Sequence, residues 1–520
     1  MCCFNLFDPL DGLQGVTIGL FASKVLFCCL LLWSGWFIWS FKITPWFRPF
    51  DAPPYPYFVP SHSYIYFRDS HGLISKARRY FSSTRKPFAI VLAGMLHYVV
   101  TSPGSAHLVY SKPLVFNFDY FLGKALSGFG VDPARLDAFW QKRSPSQGNP
   151  KGKCLVHVTE DIYKHALLSG PHLSGLLNNH KVALKYCLSF KQLAGRWGLA
   201  TATQTEPISL YTLCTATMVE SMHNCLFDPI IKSIEPGMTT GMMEFTDDMW
   251  KLMDPTSFVD STQQKKTLKR YHDALKEYQR LPQRLRSKES PLLGNLIKQY
   301  REFSINEDDS AAVLVMVYWV AVSNVAKLPY WMLVHILFDG TLCADIQRQI
   351  LPAMHGGEVD SSYLLHQCPL LKSVYLETLW LTKMDHVYRR LEEDIQVDGI
   401  TLRKGGTVIL SVTELHRDEE VFGCDAADFA PTRFQDDPKL ASSKSFRPIG
   451  SGSTYCPGRE FAFQQALLFV ALMLHAFDMQ VVGATKPQVD QLLLTVGLSR
   501  PLPGTDVKVS LQPRNLSCTH

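Results

Sequence analysis

From Asp308 to Phe338 the chain reads DDSAAVLVMVYWVAVSNVAKLPYWMLVHILF, and between Ala311 and Ala326 it is apolar on nearly every face of a helix. A helix with no polar face cannot lie on a protein surface. It is the buried centre of a large core or a membrane span. Ser323, Asn324 and Lys327 lie inside the stretch, and such groups are costly against lipid, so the core reading is favoured. A chain of 520 residues, 46% hydrophobic and 19% charged, can supply a core of that size. No repeat with a period of about 20–50 residues is visible. Leu155 to Ile350 is dominated by apolar residues at helical spacing, whereas Lys86–Ser102 and Ile395–Val412 alternate as β-hairpins do. One large, mostly helical domain with small sheets is expected over residues 61–520.

A second apolar stretch, VTIGLFASKVLFCCLLLWSGWFIWSF, runs from Val16 to Phe41 with Lys24 as its one charge. It exceeds the roughly 17 residues needed to span a bilayer and is followed by no A-x-A-like cleavage site, so residues 16–41 read as a retained anchor rather than a signal peptide. Asp8 and Asp11 precede it while Lys42 and Arg48 follow it, which places the body of the chain in the cytosol. The sequon at Asn515 then faces away from the glycosylating compartment. Prolines 45, 49, 53, 54, 56 and 60 make residues 42–60 a stiff, non-helical hinge.

A formal charge of +5 with no basic block gives no nucleic-acid footprint. Thirteen scattered cysteines without C-x-x-C pairs encode neither a disulfide framework nor a four-ligand zinc site, and they suit a reducing compartment. One of them is set apart. In RPIGSGSTYCPGREFAFQQALLFVALML (Arg447–Leu474), Cys456 stands between a Gly/Ser-rich loop and a long apolar helix beginning near Arg459. Gly450, Gly452 and Gly458 permit a tight turn and close approach to a flat partner. A thiolate at a helix N-terminus is favoured by the dipole and by unpaired N–H groups, as a nucleophile or a metal-bound sulfur requires. An inert buried thiol is the alternative that the residues alone leave open.

These residues resemble the haem-thiolate enzymes of the cytochrome P450 family. The family signature places a glycine four before the cysteine, a glycine two after it and an alanine six after it, and Gly452, Cys456, Gly458 and Ala462 stand in that register. The aromatic position seven before the cysteine is Ile449, and the basic residue usual two before it is Thr454. The spelling is closest to the branch that includes cholesterol 7-alpha-hydroxylase, sterol 12-alpha-hydroxylase and prostacyclin synthase. DFAPTRF (Asp428–Phe434) matches the F-x-P-x-R-F segment, and VYRRLEEDIQVDG is similar to the strand whose arginine pairs with a haem propionate, Arg389 in register and Arg390 as the alternate. The central helix lacks the family's acid–alcohol pair but keeps the branch spacing of Trp319, Asn324 and Trp331, making Asn324 the polar group over the iron; an Asn satisfying backbone at a helix irregularity is the other reading. In YLETLWLTK, Glu377 of the E-x-x-R motif is present, but Trp380 replaces its arginine, leaving Arg433 as the partner of Glu377.

The resemblance implies a helical triangular prism with an N-terminal transmembrane helix and haem b held by the Cys456 thiolate. It implies electrons from NADPH through a partner reductase, and a single-pass location in the endoplasmic reticulum membrane. The implied reaction is insertion of one oxygen atom into an apolar, polycyclic, sterol- or terpenoid-like small molecule, in a microbial, fungal-style secondary-metabolite pathway. The alternatives are a reductase-independent peroxide isomerase or dehydratase, motivated by the missing acid–alcohol pair, and a catalytically impaired haem protein, motivated by Trp380.

Overall fold

The computed structural model describes residues 10–47, 51–57, 61–145, 149–197, 207–252, 260–483, 485–491 and 497–514. Asp8, Arg48 and the Asn515 sequon lie outside them. Helix α1 (Leu10–Ile38) continues through a π-helical turn at Trp39–Ile43, and Ser23–Ile43 is the one segment among the described residues long and apolar enough to cross a membrane. Leu26, Phe27 and Leu32 on it are all more than half exposed.

The hinge differs from its expected form. Thr44–Phe47 is a helical turn, because Pro45 falls in its first turn, where a missing N–H costs nothing. The following residues do not stand free. Pro53 accepts from the Ala89 N–H at 2.9 Å and the Tyr55 N–H donates to Ala89 at 2.7 Å, so this half of the linker is stitched to a sheet edge.

That sheet has five strands: β1 (Phe88–Leu92), β2 (Met95–Val100), β3 (Phe116–Asn117), β5 (His386–Leu391) and β8 (Thr407–Ser411), in the order β1-β2-β8-β5-β3. The hairpin read at residues 86–102 is present as β1–β2, with Ile90 opposite His97. The second hairpin is divided. Only β6 (Ile395–Val397) and β7 (Ile400–Leu402) pair with each other, while β8 runs parallel to β2 and antiparallel to β5, with Val408 opposite both Tyr98 and Arg389. Every β8 residue is buried, so its continuous apolar run belongs to a sheet centre and not to a hairpin arm. A small sheet joins β4 (Ile208–Ser209), β9 (Phe477–Val482) and β10 (Lys508–Pro513) near the C-terminus.

The helical body surrounds the stretch 308–338, which is core and not a second span. It forms α5 (Glu307–Val322) and α6 (Leu328–Leu337), joined by a turn over 323–327. Asn306 caps α5 by accepting from the Asp309 N–H at 2.8 Å. Against these helices pack α3 (Leu210–Leu226), α4 (Thr262–Arg280), α7 (Pro369–Thr382) and α8 (Arg459–Ala476). Lys327 sits at the α5–α6 turn and is buried against Asp247 at 3.3 Å, which satisfies the charge that argued against lipid.

Candidate active site at Cys456

The loop before α8 is closed by its own backbone. The Cys456 N–H donates to the Ile449 carbonyl at 3.1 Å, so the position where the family has an aromatic serves here through its main chain. Helix α2 (Pro103–Ser111) supplies the wall of the loop. Gly452 has φ +59°, and a Cβ there would stand 2.5 Å from the carbonyl oxygen of Tyr110 on α2. Only glycine lets loop and helix approach so closely, which gives the glycine four before the cysteine a steric reason. The helix begins at Arg459, three residues after the cysteine, where the sequence places it, with Gly458 at its N-cap.

Cys456 presents two properties at once. Burial among the surrounding chain pushes its thiol up, and the Gly458 N–H pulls in the other direction, yet the residue surface is open. Both hold for a side chain that lines an internal space. Gly458 and Ala462 lie beside it, half-buried, on the turn and first turn of α8.

The central helix has an open side of the same kind. Along α5 and its turn, Met316, Val320, Ala321, Asn324 and Val325 escape full burial, with Val320 52% exposed although Trp319 and Val322 beside it are buried. The spacing i, i+4, i+5, i+8, i+9 is one helical stripe. It is apolar except for Asn324, whose Oδ1 accepts from the Leu498 N–H at 2.8 Å. Gly497 makes this contact possible, since with φ +115° any Cβ would fall 2.0 Å from Asn324 Oδ1. Asn324 thus does satisfy backbone at a helix irregularity. Its amide nitrogen also lies against Gly497, where a Cβ would stand 2.6 Å from it. Sequence spacing alone could not reveal that residues 497–499 cross the central helix, where Trp331 Nε1 also donates to Ser499 at 2.8 Å.

The E-x-x-R region is rebuilt around Trp380. Glu377 is fully buried; its Oε1 accepts from the Ala430 N–H at 2.8 Å and from Arg433 Nε at 3.3 Å, while its Oε2 has no partner. Burial pushes Glu377 up to about 7, the Ala430 N–H and Arg433 offsetting only part of the cost. Burial also works against the charge of Arg433, but Asp425 at 2.9 Å and Glu377 outweigh it, so the guanidinium stays charged. Trp380 donates Nε1–H to the His416 carbonyl at 2.7 Å, packs on the tilted ring of Phe422 with centroids 4.5 Å apart and lies under Arg433, whose Cζ is 4.5 Å from the ring centroid. The indole is an aromatic platform for the remaining arginine. This role was invisible in the sequence because Phe422, His416 and Arg433 are all distant along the chain.

Strand β5 carries both candidate arginines. Arg390 points away to Tyr120, while Arg389, 4% exposed, turns towards the cysteine loop and donates Nη2–H to Thr454 at 2.6 Å. No carboxylate pairs with Arg389 among the described residues, and burial lowers its pKa to about 10. A guanidinium buried without an anion is costly, so this site is built for an anionic partner. An open thiol, a buried unpaired cation beside it and glycines allowing close approach fit the haem implied by the resemblance.

The cytochrome P450 family profile matches residues 189–509. Cytochrome P450 monooxygenase calL of Penicillium decumbens is 25% identical over 466 residues, covering 82% of this chain and 85% of its own. Cytochrome P450 monooxygenase nodJ of Hypoxylon pulicicidum is 24% identical over 328 residues, 59% of this chain and 63% of its own. Prostacyclin synthase of Bos taurus is 25% identical over 264 residues, 45% of this chain and 52% of its own. This chain therefore spans most of the first relative and under two thirds of the other two. With the family profile covering more than half of its length, the chain belongs to the cytochrome P450 family of monooxygenases.

Proposed function

We propose that this protein is a membrane-anchored haem-thiolate monooxygenase in which Cys456 is the axial ligand, acting on an apolar, polycyclic, sterol- or terpenoid-like molecule in a fungal-type secondary-metabolite pathway. The observation that carries the reading is the open Cys456 thiol in a glycine loop beside the unpaired, buried Arg389. When bound, haem on a thiolate supplies O–O bond cleavage and insertion of one oxygen atom into a C–H bond.

The chain's own residues do the rest. Gly452 holds the loop against α2, Gly458 and Ala462 would leave room for haem at the first turn of α8, and Arg389 would hold a propionate. The open α5 stripe faces the substrate, and its Met316, Val320, Ala321 and Val325 suit an apolar ligand, with Asn324 as its one polar residue. Trp319, buried on the same helix, stacks 5.3 Å from Phe129 and backs that wall. The anchor Ser23–Ile43 supports a site in the endoplasmic reticulum membrane, with the domain in the cytosol beside an NADPH-dependent reductase.

Labelled dioxygen tests this reading. With NADPH and a cytochrome P450 reductase, one labelled oxygen atom enters a terpenoid or sterol product. Turnover of a lipid peroxide without reductase, and with no labelled oxygen incorporated, would instead identify an isomerase, the reading that the turn sequence Ser323-Asn324-Val325 without an acid–alcohol pair keeps in view.

A further inference from the structure

Beside Arg389 lies a second, half-buried cation with no counter-charge. Arg447, nine residues before Cys456, donates Nη1–H to the carbonyls of Ser443 at 2.8 Å and Phe446 at 3.0 Å, while its Nε is buried without a partner. It forms no ion pair among the described residues. The same is true of Arg389, whose Nη1 is occupied by the Tyr388 carbonyl at 2.8 Å and whose Nη2 by Thr454. Between the two stands Tyr110, with a buried hydroxyl that has no partner. The Arg389 Cζ lies 5.6 Å from its ring, and both guanidiniums act electrostatically on its hydroxyl. Asp385 is also within electrostatic reach of Tyr110 but is already paired with Lys383 at 2.7 Å.

Two unpaired cations, one buried and one half-buried, and one unpaired buried donor, converging on the wall of the Cys456 loop, ask for a ligand with two negative charges. Haem carries two propionates. We infer that Arg389, Arg447 and Tyr110 together form the propionate clamp, and that Arg447 takes the place of the basic residue the family usually carries two before its cysteine. The inference rests on the haem reading above. Here that position is Thr454, whose hydroxyl accepts from Arg389 and so aims one guanidinium instead of supplying a second. Charge lost at one point of the loop is restored seven residues earlier. The Gly452 contact with the Tyr110 carbonyl fixes the hydroxyl relative to both arginines. A phenol donor and a guanidinium donor to a carboxylate are each charge-assisted bonds, stronger than neutral ones.

Haem transfer from the purified holoenzyme to apomyoglobin tests the clamp, with resonance Raman of the propionate bending modes as a second readout. Arg447→Leu and Tyr110→Phe are each expected to release haem about tenfold faster, the size expected for one lost charge-assisted bond. They should also shift the propionate modes while leaving the thiolate-type carbon monoxide band in place. Arg447→Lys restores most of the retention. Tyr110→Phe keeps the ring and its packing, so its effect reports the hydroxyl and not the fold. Wild-type release rates and unshifted propionate modes in both variants would overturn the clamp while leaving the haem reading intact; a folded wild-type protein that never holds haem would overturn both.

Discussion

Replacing Trp380 with arginine restores the family spelling of the E-x-x-R motif, and the structure argues that it harms this protein. The indole N–H to the His416 carbonyl would be lost, at ~1–3 kcal/mol for a buried acceptor left short. The packing on Phe422 contributes ~1 kcal/mol and the cation–π contact with Arg433 another ~1–2 kcal/mol. A new guanidinium in the space of the ring would stand ~4.5 Å from the Arg433 charge, a repulsion of ~4 kcal/mol at an effective dielectric of ~20. Against these losses, the new cation would meet the bare Glu377 Oε2 and relieve its raised pKa, a gain of ~3 kcal/mol at ~1.4 kcal/mol per unit. The balance is a destabilisation of ~4–7 kcal/mol. For a domain of ~460 residues, whose unfolding entropy is ~1 kcal/mol per kelvin, the melting temperature falls by ~4–7 °C. Differential scanning fluorimetry of the holoprotein, with haem content measured alongside, reads this directly. A higher melting temperature with higher haem occupancy in Trp380→Arg would show that Trp380 is a defect and that the reasoning fails.

Further outcomes follow from the same contacts. Glu377, at about 7 instead of its ordinary 4.5, binds its proton more tightly folded than unfolded; stability is therefore full below pH ~4.5, falls as pH rises, and is ~3 kcal/mol lower above pH ~7. Glu377→Gln should remove that slope in melting temperature, and an unchanged slope would assign it to another group. Gly452→Ala forces a Cβ onto the Tyr110 carbonyl at positive φ, so it should lower the melting temperature and loosen haem, by ~1–3 kcal/mol as strain of this kind costs; a neutral effect would mean the loop stands off α2 in solution. Deleting residues 1–43 should release the protein from microsomes in a carbonate wash, because no other segment among the described residues is long and apolar enough to span; full retention would place a second integral segment in the chain.

The parts of this fold legible in the sequence were those fixed by local pattern. The all-round apolar stretch 308–338 told of a buried centre, and the glycine spacing around Cys456 told of a tight loop, because periodicity and steric need are written in neighbouring residues. The divided second hairpin was not legible. Thr407–Ser411 has the same alternation potential in a hairpin or a sheet centre, and only the tertiary position of β2 chooses. Trp380 left adaptation and loss both open, since its compensation comes from Phe422, His416 and Arg433, contacts that no spacing rule connects. Arg447 lay within the quoted loop segment yet drew no notice, because its significance depends on Tyr110, more than three hundred residues earlier. Asn324 was read from spacing as a polar group over the iron, and the structure adds that its carbonyl oxygen is engaged by the Leu498 N–H, a contact more than a hundred and seventy residues away that spacing could not show.

The central claim is that Cys456 ligates haem iron through its thiolate. The carbon monoxide difference spectrum of the reduced, purified protein tests it most directly. The account predicts a Soret band at the thiolate-ligated position in the wild type and its loss in Cys456→Ser with the fold retained. A folded wild type without haem, or a thiolate-type band that survives Cys456→Ser, would contradict it.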